Sequence, residues 1–137
     1  MTQLAKGDPR FSFRANGLPP STYHCVWRVP GLERKPSGAI EKRDAHDFAV
    51  VLGSDFPFEP PSIIWQTPIF HPNFDGERVC LGTIWFGGSS IADLCVSLRR
   101  LITLEDFNVF DPLDGVAAEW LRDRIRTDRR FVPLSAE

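Results

Sequence analysis

The sequence predicts an α+β domain in which strands come first and helices last. Three observations predict it. Short segments rich in β-formers alternate apolar and polar residues before residue 66, a proline-rich stretch follows without helical or strand periodicity, and two segments after residue 90 repeat apolar residues at a spacing of three to four. Strands followed by helices favour one antiparallel sheet with helices against one side.

The strand half begins after residues 2–6, a short helix or an irregular arm, which Gly7 and Pro9 stop. Phe11 and Phe13 alternate with polar neighbours and begin a first strand. Residues 22–29 are rich in β-formers, with Tyr23, Cys25, Trp27 and Val29 on one face and His24, Val26 and Arg28 on the other. Pro30-Gly31 and Pro36-Ser37-Gly38 mark residues 30–38 as a loop. His46 to Leu52 alternates through Phe48 and Val50, and a fourth strand follows at Ser62 to Gln66. Between them, Pro57, Pro60 and Pro61 lack backbone donors, so 53–61 is irregular. These segments read as a four-stranded antiparallel meander.

The helices carry clearer signals. Ser89 or Ser90 can cap an N-terminus with Asp93 in the first turn. Ile91, Leu94, Cys95, Leu98, Leu101 and Ile102 then form a core-facing stripe, with Arg99 and Arg100 toward water. A second helix starts near Asp114, after the stop signal Asp111-Pro112, and buries Ala117, Ala118, Leu121 and Ile125. Arg122, Arg124, Arg126, Arg129 and Arg130 surround that face, interleaved with Asp123 and Asp128, which describes a solvated helix rather than a nucleic-acid site.

Bulk properties narrow the class. The 137 residues fit one domain over 1–137, and 42% hydrophobic residues suffice for a core. A net charge of -2 gives no argument for a nucleic-acid or membrane partner, and none is expected. No apolar run is long enough to span a bilayer, and Met1 to Arg10 lacks the apolar centre of a signal peptide, so a cytoplasmic protein is expected. Three cysteines, Cys25, Cys80 and Cys95, are an odd number and include no CxxC pair. With His24, His46 and His71 they make no zinc-ligand spacing, so neither a metal nor a cofactor is expected.

The stretch 56–86 concentrates rigid, irregular residues, with prolines at 57, 60, 61, 68 and 72. Such backbone is tolerated where it must hold a site. It contains Phe56-Pro57-Phe58-Glu59-Pro60-Pro61, then Pro68-Ile69-Phe70-His71-Pro72-Asn73, then Val79-Cys80-Leu81, and Asp111-Pro112-Leu113-Asp114 follows later. In order and spacing these motifs resemble the ubiquitin-conjugating enzymes, over about Tyr23 to Ile125. The resemblance implies a UBC-like fold and an acyltransferase that carries a ubiquitin-like modifier as a thioester on Cys80. It implies an activating enzyme, a target protein and a possible ligase as partners.

The residues allow that chemistry. Thioester exchange needs access and thiolate character more than a dedicated base. Cys80 follows a Gly-containing turn and precedes Gly82, whereas Cys25 and Cys95 fall on apolar faces, the ordinary place for a structural cysteine. The resemblance puts Asn73 at the oxyanion or loop-ordering position, and the two roles can coexist. It puts Asp111 at the acid lining the lysine channel, where a turn or cap role beside Pro112 is nearly as well supported. His71 and Pro72 are implied to be structural, and Phe58 to meet the ligase, with plain packing under the proline loop as its alternative.

Departures from the pattern also stand in the sequence. The N-terminal helix is reduced, Trp85 lies closer to Cys80 than the family's tryptophan does, and Gly87-Gly88-Ser89-Ser90 fills the following loop. This trimmed form resembles bacterial members of the family, which often act in antiviral defence. Two alternatives remain: a non-catalytic variant of the fold that binds a ubiquitin-like protein, and a thiol hydrolase using His71 as base.

Overall fold

The computed structural model describes residues 1–128 and 130–134. Arg129 of the basic helical face lies outside the described residues. A short helix α1 (Thr2–Gly7) leads into a four-stranded antiparallel sheet of β1 (Phe11–Asn16), β2 (Thr22–Trp27), β5 (His46–Val51) and β6 (Ser62–Trp65), in the order β1-β2-β5-β6. The strand alternation read from the sequence holds: Cys25 and Trp27 are buried, while Arg28 is exposed.

Residues 30–38, expected as a loop, instead hold most of a hairpin between β2 and β5. Strand β3 (Gly31–Arg34) pairs with β4 (Ile40–Arg43) around the Pro36-Ser37-Gly38 turn. The turn residues were the visible signal, and the strands on either side are only four residues long. Gly38 adopts φ +91°, and the Lys35 and Ala39 backbones close the turn at 2.8 Å. Glu33, buried on β3, reaches Arg43 across the pair at 3.1 Å and also pairs with Lys35, and both cations hold its carboxyl below the usual range.

The sheet's inner face carries the main core. Phe48 stacks on Trp65 at 5.1 Å, and Trp65 meets Phe74 edge-on at 4.7 Å. Helix α2 (Ile91–Ile102) covers this layer with Leu94, Cys95, Leu98, Leu101 and Ile102. Ser90 and Asp93 form a reciprocal capping box at its start. The Trp27 indole donates to the Cys95 carbonyl at 2.9 Å and ties helix to sheet. Arg100 faces water as expected, but Arg99 is half-buried and pairs with Glu105 at 3.7 Å. Helix α3 (Gly115–Thr127), capped by Asp114, extends the helical layer over a second cluster with Leu32, Phe70, Leu104 and Leu134. No described helix is long and apolar enough to cross a membrane.

Gly31 marks the tightest junction. A Cβ there would lie 2.6 Å from the His46 ring and 2.9 Å from Ile102 Cγ2, both in the core. Gly31→Ala is therefore expected to lower stability by about 2–3 kcal/mol through overpacking. A urea midpoint equal to that of the parent protein would contradict this.

Candidate active site

A small hairpin builds the centre of the site. Phe74–Asp75 (β7) pairs with Arg78–Val79 (β8) around Gly76, which takes φ +58°. Within 56–86 the sequence predicts only the strand at Ser62 to Gln66, and this second ladder is added by the structure; two-residue strands are too short to show a period. A single turn of 3₁₀-helix follows at Leu81–Thr83. Because Phe74 is opposite Val79, Asn73 and Cys80 are the next residues outward, and the Cys80 N–H donates to the Asn73 carbonyl at 3.0 Å. Hairpin register thus joins two motifs separated by seven positions in the sequence.

The three cysteines sit in different environments, and none is in a disulfide. Cys25 and Cys95 are 1% and 0% exposed. A hydrogen bond with Cys25 and burial push the Cys95 thiol well above the ordinary cysteine range. Cys80 is partly exposed, between the half-buried Val79 and Leu81. These two neighbours also line an open groove with Pro60, Pro61, Ser62 and Ile63. Access, which thiol exchange requires, distinguishes Cys80 from the other two.

Asn73 is fully buried and its amide is engaged on both sides. Nδ2 donates to the Asn108 carbonyl at 2.9 Å, and the Asn108 N–H donates to Oδ1 at 2.9 Å. The Asn108 side chain in turn accepts from the Phe110 N–H at 2.9 Å. Farther along, Leu113 and Asp114 donate their N–H groups to the Pro72 carbonyl at 2.8 and 3.1 Å. The loop that carries Asp111 is therefore fastened at both ends to residues 72 and 73. Asp111 itself is exposed, just ahead of α3. Sequence reading missed Asn108. Its only visible signal was an asparagine two residues before an N–H that needs an acceptor, a common pattern.

His71 is buried beside this clamp. Its Nδ1 accepts from the Asn73 N–H at 3.0 Å, and its ring meets Phe74 edge-on at 5.0 Å. Burial pushes its pKa down to about 3, opposed by the carbonyls of Leu101 and Asp106. With Nδ1 occupied and the ring neutral, His71 is unsuited to take a proton from Cys80, which weighs against the hydrolase reading. The histidine also imposes a pH dependence. The unfolded chain binds its proton below the usual 6.5, the folded chain only near 3, so stability falls as pH drops through that window. The slope approaches about 1.4 kcal/mol per pH unit. Urea unfolding at pH 7.5 and 5.0, with NMR titration of the ring, checks it; a His71 transition near 6.5 would refute the assignment.

Phe58 is 95% exposed, so it does not pack under the proline loop. Phe56, two residues earlier, meets Trp85 with centroids 6.2 Å apart and joins this loop to the one after the 3₁₀ turn. Among the described residues, no group of histidine, cysteine or carboxylate side chains could hold a metal ion.

Comparison with known proteins agrees with this architecture. The model of the family described as ubiquitin-conjugating enzyme matches residues 32–131. A relative from Arabidopsis thaliana named probable ubiquitin-conjugating enzyme E2 31 is 30% identical over 116 residues, covering 81% of this chain and 74% of that protein. Another from Schizosaccharomyces pombe, named ubiquitin-conjugating enzyme E2 14, is 29% identical over 123 residues, covering 85% and 75%. With a four-stranded antiparallel sheet, a helical layer on it and a match over most of its length, the chain belongs to the ubiquitin-conjugating enzyme family.

Proposed function

We propose that this chain, as one UBC-like domain over 1–137, accepts a ubiquitin-like modifier from an activating enzyme and transfers it to an amine of a target protein, with lysine as the expected acceptor. The observation that carries the reading is the pairing of a partly exposed Cys80 with a turn whose residues also hold the Asp111 loop. In the first step the Cys80 thiolate attacks the modifier's thioester carbonyl. A new C–S bond forms on Cys80 and the activating enzyme's sulfur leaves with its electron pair. In the second step the amine attacks the Cys80 thioester, a C–N bond forms, and Cys80 departs as thiolate.

Only about one lysine in a few thousand is neutral at pH 7, so the second step needs help with the amine's proton. Asp111 is the group assigned to orient the ammonium and receive that proton, since it is exposed on the fastened loop. The reciprocal bonds from Asn73 to the Asn108 backbone support a loop-ordering role over direct contact with the oxyanion. His71 and Pro72 are assigned as the structural core of the turn. The exposed ring of Phe58 supports a docking role toward a ligase. The Gly87–Ser90 loop supports a place among bacterial-type members, with cytoplasmic action and antiviral defence as the setting.

A charging assay tests the proposal. The protein, its cognate activating enzyme and modifier, and ATP are mixed and run on a non-reducing gel. A slower band removed by thiol is the expected result. No band, with an activating enzyme shown to form its own thioester, would overturn the carrier reading.

A further inference from the structure

We propose that Phe110 selects the acceptor. Its ring forms a wall against which an apolar residue flanking the acceptor lysine docks, so the chain favours polypeptides with a large apolar residue beside that lysine. The inference rests on the reading of Cys80 as thioester carrier and adds a substrate class to it.

Phe110 is 93% exposed, in a chain whose inner layer is built from aromatic rings. A ring on a loose loop can turn inward and shed its contact with water. Phe110 is denied that freedom. Asn108, two residues before it, is held on both backbone groups by Asn73. The Phe110 N–H is taken by the Asn108 side chain, and the Val109 carbonyl accepts from the Arg122 guanidinium of α3. Beyond it, Leu113 and Asp114 are bonded to Pro72. The loop is held on both sides of Phe110 and still presents its largest apolar side chain to solvent, as in a binding anchor.

Its position says what the anchor faces. Both ends of the 108–114 segment are fastened to residues 72 and 73, and the Asn73 carbonyl accepts from the Cys80 N–H. Phe110 directly precedes Asp111, the acid assigned to the incoming ammonium. An acceptor lysine engaging Asp111 brings its neighbours in sequence within reach of the Phe110 ring. The exposed rings of Phe58 and Phe86 lie on a different pair of loops, joined through Phe56 and Trp85.

The test loads Cys80 without an activating enzyme, by exchange with the mercaptoethanesulfonate thioester of ubiquitin. The Cys80 thiolate attacks the carbonyl and mercaptoethanesulfonate leaves. Single-turnover discharge is then followed to two synthetic peptides, each with one lysine, flanked by leucine in one and glycine in the other. The parent protein is expected to favour the leucine peptide by about tenfold, the effect of partly burying an apolar side chain. Phe110→Ala should bring that ratio near one, and Phe110→Leu should keep most of it. Equal rates in the parent protein, or a ratio unchanged in Phe110→Ala, would overturn the inference. Uniform slowing of both peptides would do so too, because it marks a structural role. Failure to form the thioester appears before any peptide is added, and overturns the carrier reading itself.

Discussion

Replacing Cys80 with alanine is expected to abolish the thiol-sensitive band entirely, while Cys95→Ala still charges. The contrast follows from access. The Cys95 thiol has no exposed surface, and hydrogen bonding and burial hold it protonated, so it is neither reachable nor nucleophilic. Cys80 is partly exposed, between two residues that line an open groove, and is bonded through its backbone to the clamped turn. Removing the Cys95 sulfur leaves a small cavity under β2 and costs about 1–2 kcal/mol. The bond from Trp27 reaches the Cys95 carbonyl and survives the substitution. Non-reducing gels together with urea midpoints separate the two effects. A thiol-removable band in Cys80→Ala would assign the carrier to another cysteine and sink the proposed mechanism.

Asn73→Ala is expected to produce the second large effect, on both stability and transfer. The substitution removes two hydrogen bonds to the Asn108 backbone at a fully buried position, leaving a donor and an acceptor to find new partners. The cost is about 2–3 kcal/mol, since each stranded group bears its desolvation penalty without a compensating bond. Transfer to lysine should fall on the order of a hundredfold, because the Asp111 loop loses one of its two fastenings. Charging should suffer much less: the bond between Cys80 and residue 73 runs through backbone atoms that alanine keeps. Asn108→Ala preserves the clamp and loses only the bond to the Phe110 N–H, so its stability cost should be nearer 1 kcal/mol. An Asn73→Ala protein that transfers at the parent rate would remove the loop-ordering role.

These effects depend on contacts of very different range, and that difference explains what could be read from the chain. Strand alternation around Cys25 and Trp27, the Ser90 cap and the α2 stripe are encoded within a few residues, so local pattern reveals them. The β3–β4 pair escaped because four-residue strands beside Pro30 and Pro36 read locally as turn. Phe58 was ambiguous for a similar reason: one phenylalanine in a proline loop reads the same buried or exposed.

By itself the sequence determined an α+β order, a serine cap at residue 89 or 90, most of the buried faces of both long helices, and the motifs placing Cys80 in a family. It also separated Cys80 from Cys25 and Cys95, because apolar alternation and helical spacing already put those two inside. Only the tertiary structure decided that Asn73 holds Asn108 across 35 positions, that Pro72 receives Leu113 and Asp114, and that Phe110 stands in water beside Asp111. The physical reason is that periodicity reports which face of an element is apolar. Side-chain-to-backbone bonds between distant loops leave no period, and exposure of one ring depends on which neighbours the fold brings near.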